Sequence, residues 1–515
     1  MILEDYKKRA RQIINDPGLS YPQRRHHLAL LAEDLLDYPQ LTNEAKEAFE
    51  EGIICDLMEG PAPYRPRYIL PDYEKALREG SDFLELDPPE NLPEALNFLT
   101  IMYSQVPSIT GYPVYVGDID KLLAPYVEDV SDEDLYQQLK LFWRGIDRMQ
   151  PDGFVHANLG PEDTRVGRMI FQIERELKQV VPNLTLKYDP EVTSDELLME
   201  AIETVFTVGK PHFANHQMMV QDLGEEYAVV SCYNSLKVGG GSHTLTRLNL
   251  KETVKRHQGD LDSYLNQTLP HYVELTLEVM EARIKHLVEE TKFFEHDFSA
   301  QEGFLSLDKF SAMFGIYGLA QTVNILMEEM GQEGRYGHDE NANQISYQIT
   351  DKIAQLLAER QVPYCQGNDN RVFFHSQSGI DQDIDVTAGT RIPYQEEPEL
   401  FQHIQTVAPH HHKFQAGISD IFHFESTVKN NPQAVADIIK GAFQQGMRDF
   451  TFNLADGDFV RITGYLVRRS DLEQMGEENR SRYNSTELGY NAVNNQDIMD
   501  RKRRVVNREQ NPGTY

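Results

Sequence analysis

Cysteine is scarce in this chain. Only three cysteines, Cys55, Cys232 and Cys365, occur among 515 residues, and no two of them form a Cys-x-x-Cys pair. So few and so scattered a set argues against a disulfide framework, and the missing pairs argue against a zinc or iron–sulfur site held by cysteines. We expect these thiols to stay reduced, as thiols do in the cytoplasm.

Long apolar runs and positive charge are scarce as well. No stretch of about 18 apolar residues is present, so a membrane-spanning helix is not expected. The first residues lack the apolar core of a signal peptide. The formal net charge is −33, which argues against a nucleic-acid-binding surface and against attraction to anionic membranes. Together these absences predict a cytoplasmic protein.

The sequence alternates helical segments with short apolar strands. Its composition, 40% hydrophobic and 25% charged, is that of a globular protein. Apolar spacing predicts a helix over 163–181, then a strand over 184–188, and 227–232 is a short apolar run typical of a buried strand. The glycine-rich stretch 237–242 is predicted to be a loop. This alternation indicates an α/β fold.

A further helix and strand are predicted close to the C-terminus. Asn431 and Pro432 are typical of an N-cap and a first helical residue, and Gly446 is typical of the end of that helix. Residues 450–454 alternate between apolar and polar types, as a strand does. After a turn, residues 459–466 are predicted to be a second extended segment.

Three regions follow from these patterns. Residues 1–430 are predicted to hold a helical N-terminal region and the α/β core. Residues 431–475 form the segment of helix and strands just described. Residues 476–515 lose their apolar periodicity, and we expect a polar C-terminal tail there.

Gly464 lies where a strand does not favour glycine, because glycine packs nothing and loses more entropy on folding than other residues. Alone it would indicate a bulge or a close-packed site. The whole string 461–465, Arg-Ile-Thr-Gly-Tyr, resembles the signature of glycyl-radical enzymes. In these enzymes the glycine Cα loses a hydrogen atom and stores an unpaired electron. Glycine suits this role because the radical centre must flatten, which it can do without a side-chain clash.

The resemblance extends over roughly 350 residues. The stretch 117–126 resembles an early Asp-x-x-x-x-Pro-Tyr region of these enzymes. The stretch 211–215 is similar to a Pro-x-Phe-x-Asn element that precedes their catalytic cysteine, and 231–234, Ser-Cys-Tyr-Asn, follows where that cysteine is expected. As a whole the chain is most similar to the YjjI group of this superfamily.

The resemblance implies a fold, a chemistry and a partner. It implies a ten-stranded α/β barrel with helices outside, inside which the Cys and Gly hairpin loops meet. Cys232 would become the thiyl radical that abstracts a substrate hydrogen, and Arg461 and Tyr465 would support the radical loop. A radical-SAM activating enzyme with a 4Fe-4S cluster would install the radical on Gly464, so no cofactor is bound permanently. Such an enzyme works anaerobically, is oxygen-sensitive and acts on a small molecule.

Departures from better-known subfamilies leave the reaction open between lyase and transferase types. Pyruvate formate-lyases use two adjacent cysteines, whereas Ser231 and Tyr233 flank Cys232 here. Dehydratase groups place a glutamate two residues after the cysteine, whereas Asn234, which cannot transfer a proton, stands here. Anaerobic ribonucleotide reductases carry zinc cysteines that this chain lacks.

Four residues are candidates for the substrate pocket: Asn215, Asn234, His375 and Glu425. No metal is predicted, because the adjacent histidines 410–412 point in different directions. A homodimer is a further expectation. Two alternatives stay open, a radical-domain scaffold without catalysis and a cysteine-dependent hydrolase that uses Cys232 with a histidine.

Overall fold

The computed structural model describes most of the chain. The described residues are 3–16, 19–56, 59–60, 62–150, 154–231, 233–376, 386–393, 395–418, 420–461, 466–471 and 473. Three predicted site residues, Cys232, Gly464 and Tyr465, lie outside this set, as does the predicted tail, 476–515. The division of the chain at residues 430 and 475 stays a prediction.

The elements alternate along the chain as predicted. The strands are β1 (Ile54–Cys55), β2 (Tyr68–Leu70), β3 (Tyr115–Asp118), β4 (His156–Leu159), β5 (Asn183–Tyr188), β6 (His212–Asn215), β7 (Tyr227–Val230), β8 (Asn234–Lys237), β9 (Gly240–Asn249), β10 (Phe310–Tyr317), β11 (Phe373–Ser376), β12 (Ile421–Phe424), β13 (Asp449–Leu454), β14 (Phe459–Arg461) and β15 (Leu466–Arg468). The helices are α1 (Leu3–Asn15), α2 (Tyr21–Glu33), α3 (Asn43–Glu50), α4 (Tyr73–Glu79), α5 (Leu92–Tyr103), α6 (Ile119–Leu123), α7 (Asp132–Met149), α8 (Arg165–Leu177), α9 (Asp195–Val208), α10 (His216–Leu223), α11 (Leu250–Lys255), α12 (Leu261–Ser263), α13 (Leu269–Lys285), α14 (Phe293–His296), α15 (Phe298–Gln301), α16 (Leu319–Glu329), α17 (Glu340–Glu359), α18 (Leu400–His411) and α19 (Pro432–Gln444). None of the described helices is long and apolar enough to cross a membrane.

Most of the strands form two sheets. The six-stranded sheet has the order β12-β13-β6-β5-β4-β3, in which β3 to β6 run parallel to one another and β13 pairs antiparallel with β6. In the five-stranded sheet, β9, β10 and β11 are parallel, and β1 and β2 lie antiparallel to β9. The α/β class is therefore confirmed.

Backbone hydrogen bonds connect the two sheets at one side. The Ala416 N–H donates to the Phe374 carbonyl (3.2 Å), and the Ser376 N–H donates to the Gly417 carbonyl (3.0 Å). They bring the segment before β12 against β11. Among the described strands the pairings form two large sheets and two hairpins, β7–β8 and β14–β15, rather than a closed ten-stranded ring.

Local signals explain the element ends. The Asn431 side chain accepts a hydrogen bond from the Ala434 N–H, Pro432 is the first residue of α19, and Gly446 follows the helix with φ +93°. The predicted start and end of this helix are confirmed. The helix predicted over 163–181 is shorter, because Thr164 caps α8 and Lys178 ends it in a left-handed conformation.

Two predictions about the glycine-rich regions are wrong. Residues 459–466 are not one extended segment, because Arg461 at the end of β14 pairs with Leu466 at the start of β15. Residues 240–242 are not a loop but the start of β9. A Cβ on Gly241 would lie 2.0 Å from the Tyr68 carbonyl oxygen, so the glycine permits close pairing with β2.

Candidate functional site

Two β-hairpins carry the residues that the sequence singles out. The Cys hairpin, β7 and β8, has a three-residue tip, since Val230 pairs with Asn234. Ser231 and Tyr233 in that tip have φ of 50° and 65°. Non-glycine residues adopt this left-handed region at a cost, and such strain is common at functional sites. Cys232, between them, lies outside the described residues.

The Gly hairpin, β14 and β15, is the second of these elements. Phe459 pairs with Arg468, and Arg461 pairs with Leu466. Residues 462–465, which include Gly464 and Tyr465, join the two strands and are outside the described residues. The two residues that flank this loop, Arg461 and Leu466, are described, and both are buried.

Two buried asparagines hold the hairpins in the same way. On β4, the Asn158 amide donates to the Val229 carbonyl and accepts from the Val229 N–H, both at 2.8 Å. On β13, the Asn453 amide donates to the Arg461 carbonyl (3.0 Å) and accepts from the Arg461 N–H (2.9 Å). An asparagine amide has a donor group and an acceptor oxygen, as a peptide group does. Each asparagine therefore makes the pair of hydrogen bonds that a neighbouring strand would make to the hairpin backbone. We call these residues the asparagine clamps.

Arg461 joins the two hairpins. Its guanidinium carbon lies 5.8 Å from the centroid of the Tyr233 ring, a distance typical of a cation–π contact. Nη2 of the same side chain donates to Asn183 Oδ1 on β5 (3.1 Å). Burial lowers the pKa of the Arg461 guanidinium, whose side chain is fully enclosed. The residue after Cys232 and the residue three before Gly464 are therefore in contact.

A row of polar side chains supports Tyr233 from β4, β5 and β6. The His212 ring meets the Tyr233 ring edge-on, with centroids 4.4 Å apart. Thr185 Oγ1 lies 2.6 Å from His156 Nε2 and 3.2 Å from His212 Nδ1. Burial lowers the pKa of both histidines well below the usual range, so both are neutral near pH 7.

Two glycines allow the backbone to approach the hairpins closely. A Cβ on Gly417 would lie 2.1 Å from the Tyr233 carbonyl oxygen, and one on Gly209 would lie 3.0 Å from a Leu466 methyl. Both glycines have positive φ, 121° and 68°. Side chains at these two positions would push the hairpins away from their supports.

Two of the four candidate pocket residues are buried, Asn234 in the Cys hairpin and His375 on β11. Asn234 begins β8, where its Nδ2 donates to the Val230 carbonyl (3.2 Å), while its Oδ1 has no partner among the described residues. His375 lies on β11, opposite Gly315, and neither ring nitrogen has a partner in the described part of the chain. Burial lowers the pKa of His375 to about 3.

The other two candidates have different surroundings. Asn215 caps α10 by accepting from the Met218 N–H, and its Nδ2 donates to the Met447 carbonyl (3.1 Å). Its side chain thus connects β6 to the start of β13. Glu425 is exposed at the end of β12. A place in a substrate pocket stays a prediction for all four candidates.

The sequence reasoning missed the polar face of β13. Phe450, Phe452 and Leu454 form its apolar face, and the alternate residues Asp449, Thr451 and Asn453 are also buried. The signal was available, because the strand alternation that identified the apolar face also defines the polar one. Asn158 carries no comparable local signal.

Two histidines of α18, His403 and His411, lie against the buried carboxylate of Asp420. His411 Nε2 lies 3.3 Å from Asp420 Oδ2, and His403 Nε2 lies 3.8 Å from the other carboxylate oxygen. Burial opposes ionisation of Asp420, but the hydrogen bond with His411 and the nearby His403 ring keep the pKa of this carboxyl below the usual range. Within the described ranges no group of three potential ligands is arranged to hold a metal ion.

Comparisons with known proteins agree on one family. A family model described as "Glycyl radical enzyme YjjI-like" matches residues 19–504. The Escherichia coli (strain K12) protein described as "Uncharacterized protein YjjI" is 47% identical over 507 residues, which cover 98% of this chain and 97% of that protein.

Solved structures share the fold. The anaerobic ribonucleotide reductase from Thermotoga maritima with glycerol in the active site has a TM-score of 0.67 at 13% identity, over 92% of this chain and 89% of that one. The glycerol-bound B12-independent glycerol dehydratase from Clostridium butyricum has a TM-score of 0.66 at 10% identity, over 90% and 86% of the chains. At these identities the likeness concerns the fold.

Proposed function

The chain belongs to the YjjI-like glycyl-radical enzymes, and from this premise we propose that Gly464 stores the radical and Cys232 uses it. The hydrogen atom of the Cys232 thiol passes to the Gly464 Cα, which restores glycine and leaves a thiyl radical. The thiyl radical takes a hydrogen atom from a substrate carbon and returns one after the substrate radical has reacted. The protein contributes positioning and the exclusion of oxygen and water.

One observation carries this proposal. The Tyr233 ring and the Arg461 guanidinium are in contact, although their positions in the sequence are far apart. Each residue belongs to a hairpin whose tip contains one of the two reacting residues. Hydrogen-atom transfer needs such proximity. We assign Arg461 and Tyr465 to support of the radical loop.

Installation of the radical needs a partner. We propose a radical-SAM activating enzyme with a 4Fe-4S cluster, in the cytoplasm, and no permanently bound cofactor in this chain. Gly464 must leave the interior to meet that enzyme, and we propose that residues 431–475 move together when it does.

The reaction we favour is of the lyase type, on a small molecule. A glycerol dehydratase shares the fold, whereas the zinc cysteines typical of anaerobic ribonucleotide reductases are absent from the sequence. Asn234 stands where dehydratases place a glutamate, so any proton transfer must use another side chain.

Electron paramagnetic resonance tests the proposal. After anaerobic activation by a competent activating enzyme, the parent chain and Cys232→Ser should give the doublet of a glycyl radical, and Gly464→Ala should give none. In D₂O the doublet of the parent should collapse as the exchangeable thiol deuterium reaches Gly464, and the doublet of Cys232→Ser should persist. Air should then cleave the parent at Gly464.

Other outcomes identify the alternatives. No radical and an intact chain in air would contradict the proposal. A cysteine-dependent hydrolase would be active in air and in Gly464→Ala. A scaffold would carry the radical, but its doublet would be unaffected by D₂O.

A further inference from the structure

A surface cleft with an acidic lining lies where α8 and α9 meet. Its volume is about 390 Å³, and it is open to solvent. One arginine of α8, together with a methionine and four carboxylates of α9, lines it: Arg175, Met199, Asp195, Glu196, Glu200 and Glu203. We call this feature the acidic cleft.

Two of the four carboxylates are paired with cations of the fold. Arg175 and Arg168 lie 2.8 and 3.5 Å from the carboxylate of Glu200. Lys440 of α19 lies 2.6 Å from that of Asp195. These pairs fix one side of the cleft, and they use the cations that surround it.

The other two carboxylates, Glu196 and Glu203, are exposed and form no ion pair within the described ranges. They are seven residues apart on α9, so they lie on the same face of the helix, two turns from each other. Met199 lies between them and is half-buried. The cleft therefore presents two unpaired negative charges around an apolar centre, which suits a segment with several cations on long side chains.

The same helix also supports the Gly hairpin. Gly209 ends α9, and a Cβ there would lie 3.0 Å from Leu466 and 3.1 Å from Phe459. Arg468 pairs with Phe459, so the chain leaves β15 beside the end of α9. Glu203 is six residues from Gly209, which is about 9 Å along a helix. The C-terminal part of the chain thus starts close to the acidic cleft.

That part of the chain contains a segment of opposite charge. Residues 501–504, Arg-Lys-Arg-Arg, are the only four consecutive cations in the sequence, and they lie outside the described residues. The 27 residues 474–500 can span up to about 90 Å, far more than the cleft requires. A tethered segment meets its site at an effective concentration of about millimolar. A net charge of −33 opposes nucleic acids and anionic membranes as partners of this basic run.

We propose that residues 501–504 dock in the acidic cleft of the same chain, and that the tail thereby holds the Gly hairpin against the core as a latch. Guanidinium groups of the run pair with Glu196 and Glu203, and their apolar stems cover Met199. The docking requires no radical. Its consequence for activation, that the latch opens before residues 431–475 move, rests on the proposed function.

Carbodiimide cross-linking of the full, unactivated chain tests the docking. The reagent joins a lysine to a carboxylate in direct contact with it, and Lys502 is the only lysine after Lys440. We expect Lys502 to be coupled mainly to Glu196 and Glu203, with a yield that falls at least fivefold in about 0.5 M salt. A mixture of ¹⁴N and ¹⁵N chains separates coupling within one chain, which we expect, from coupling between two copies.

Variants of the tail arginines leave Lys502 in place as the reporter. Replacement of Arg501, Arg503 and Arg504 by glutamine should lower the coupling yield at least fivefold. The matched control replaces Arg480 and Arg482, two arginines of the tail outside the basic run, and should stay within about twofold of the parent.

A variant of the cleft and the exchange of the Gly hairpin complete the test. Glu203→Gln should lower coupling of Lys502 to Glu196 at least threefold, whereas Glu329→Gln, at an exposed position of α16, should not change it. The triple arginine variant should speed amide hydrogen exchange on β14 and β15 at least threefold, with little change on β7. Thermal melting checks that each variant folds.

Several results would overturn the proposal. Coupling of Lys502 to carboxylates all over the surface, or no coupling at all, would remove the docking site. Coupling mainly between ¹⁴N and ¹⁵N chains would place the basic run on a second copy. Unchanged coupling in the triple variant would remove the role of charge, and unchanged exchange of the Gly hairpin would remove the latch. A chain whose tail docks as expected but forms no glycyl radical would contradict the proposed function alone.

Discussion

Arg461 illustrates what a single residue contributes to this site. Its buried guanidinium bonds Asn183 on β5 and lies against Tyr233 on the Cys hairpin. A planar guanidinium can stack on a ring and donate sideways at the same time, whereas a lysine ammonium is a compact point charge. The sequence marked this arginine through its place in the glycine signature, but its partners became visible only in the fold.

Replacement of Arg461 by lysine should therefore be costly. We expect Arg461→Lys to lower the free energy of unfolding by about 1–3 kcal/mol, because it loses a buried hydrogen bond and a stacked contact. The same change at Arg468, whose ion pairs on the Gly hairpin are longer and partly exposed, should cost less than about 1 kcal/mol. Urea denaturation of both variants measures the difference. Equal costs would show that the buried contacts of Arg461 add nothing to stability.

The two hairpins are the elements on which the site depends. The tip of one hairpin contains Cys232 and the tip of the other contains Gly464. Each hairpin is held at one backbone position by an asparagine clamp, Asn158 or Asn453. The sequence predicted β7 and the cap of α19 correctly, because those signals are local. It did not predict the clamps, because an asparagine side chain reveals nothing about a backbone many residues away.

Each asparagine clamp should affect its own hairpin. Asn453→Asp loses the donor to the Arg461 carbonyl and places a carboxylate against it, and Asn158→Asp does the same at Val229. We expect Asn453→Asp to speed amide hydrogen exchange on β14 at least tenfold with little change on β7, and Asn158→Asp to do the reverse. Exchange measured by mass spectrometry separates these peptides. Faster exchange in both hairpins of each variant would instead indicate general loosening of the fold.

At the scale of the whole molecule, burial moves the pKa values of several titratable groups far from their values in water. Burial lowers the pKa of His243 to about 4 and that of His375 to about 3, and it raises the pKa of Asp120 to about 7. Below about pH 6.5 the unfolded chain binds protons that the buried histidines cannot, so each histidine removes stability as the pH falls. Asp120 acts in the opposite direction, since its folded form keeps a proton that the unfolded chain loses.

The histidine contribution can be isolated by comparison with a variant. Between pH 7 and pH 4 we expect the stability of His375→Gln to fall by about 3 kcal/mol less than that of the parent, because each pH unit below the unfolded value costs up to about 1.4 kcal/mol. His271→Gln, at an exposed position, controls for the loss of one imidazole. Urea midpoints across this range give the two pH profiles. Parallel profiles for parent and His375→Gln would contradict a buried, neutral His375.

The sequence by itself determined the fold class, the family signature around Gly464 and the local helix signals. These rest on periodicity, caps and short strings, which act between residues close together in the chain. Only the tertiary structure decided that Arg461 meets Tyr233 and that 459–468 is a hairpin. Those facts depend on which strands become neighbours, and strand pairing between distant segments leaves no mark in either segment alone.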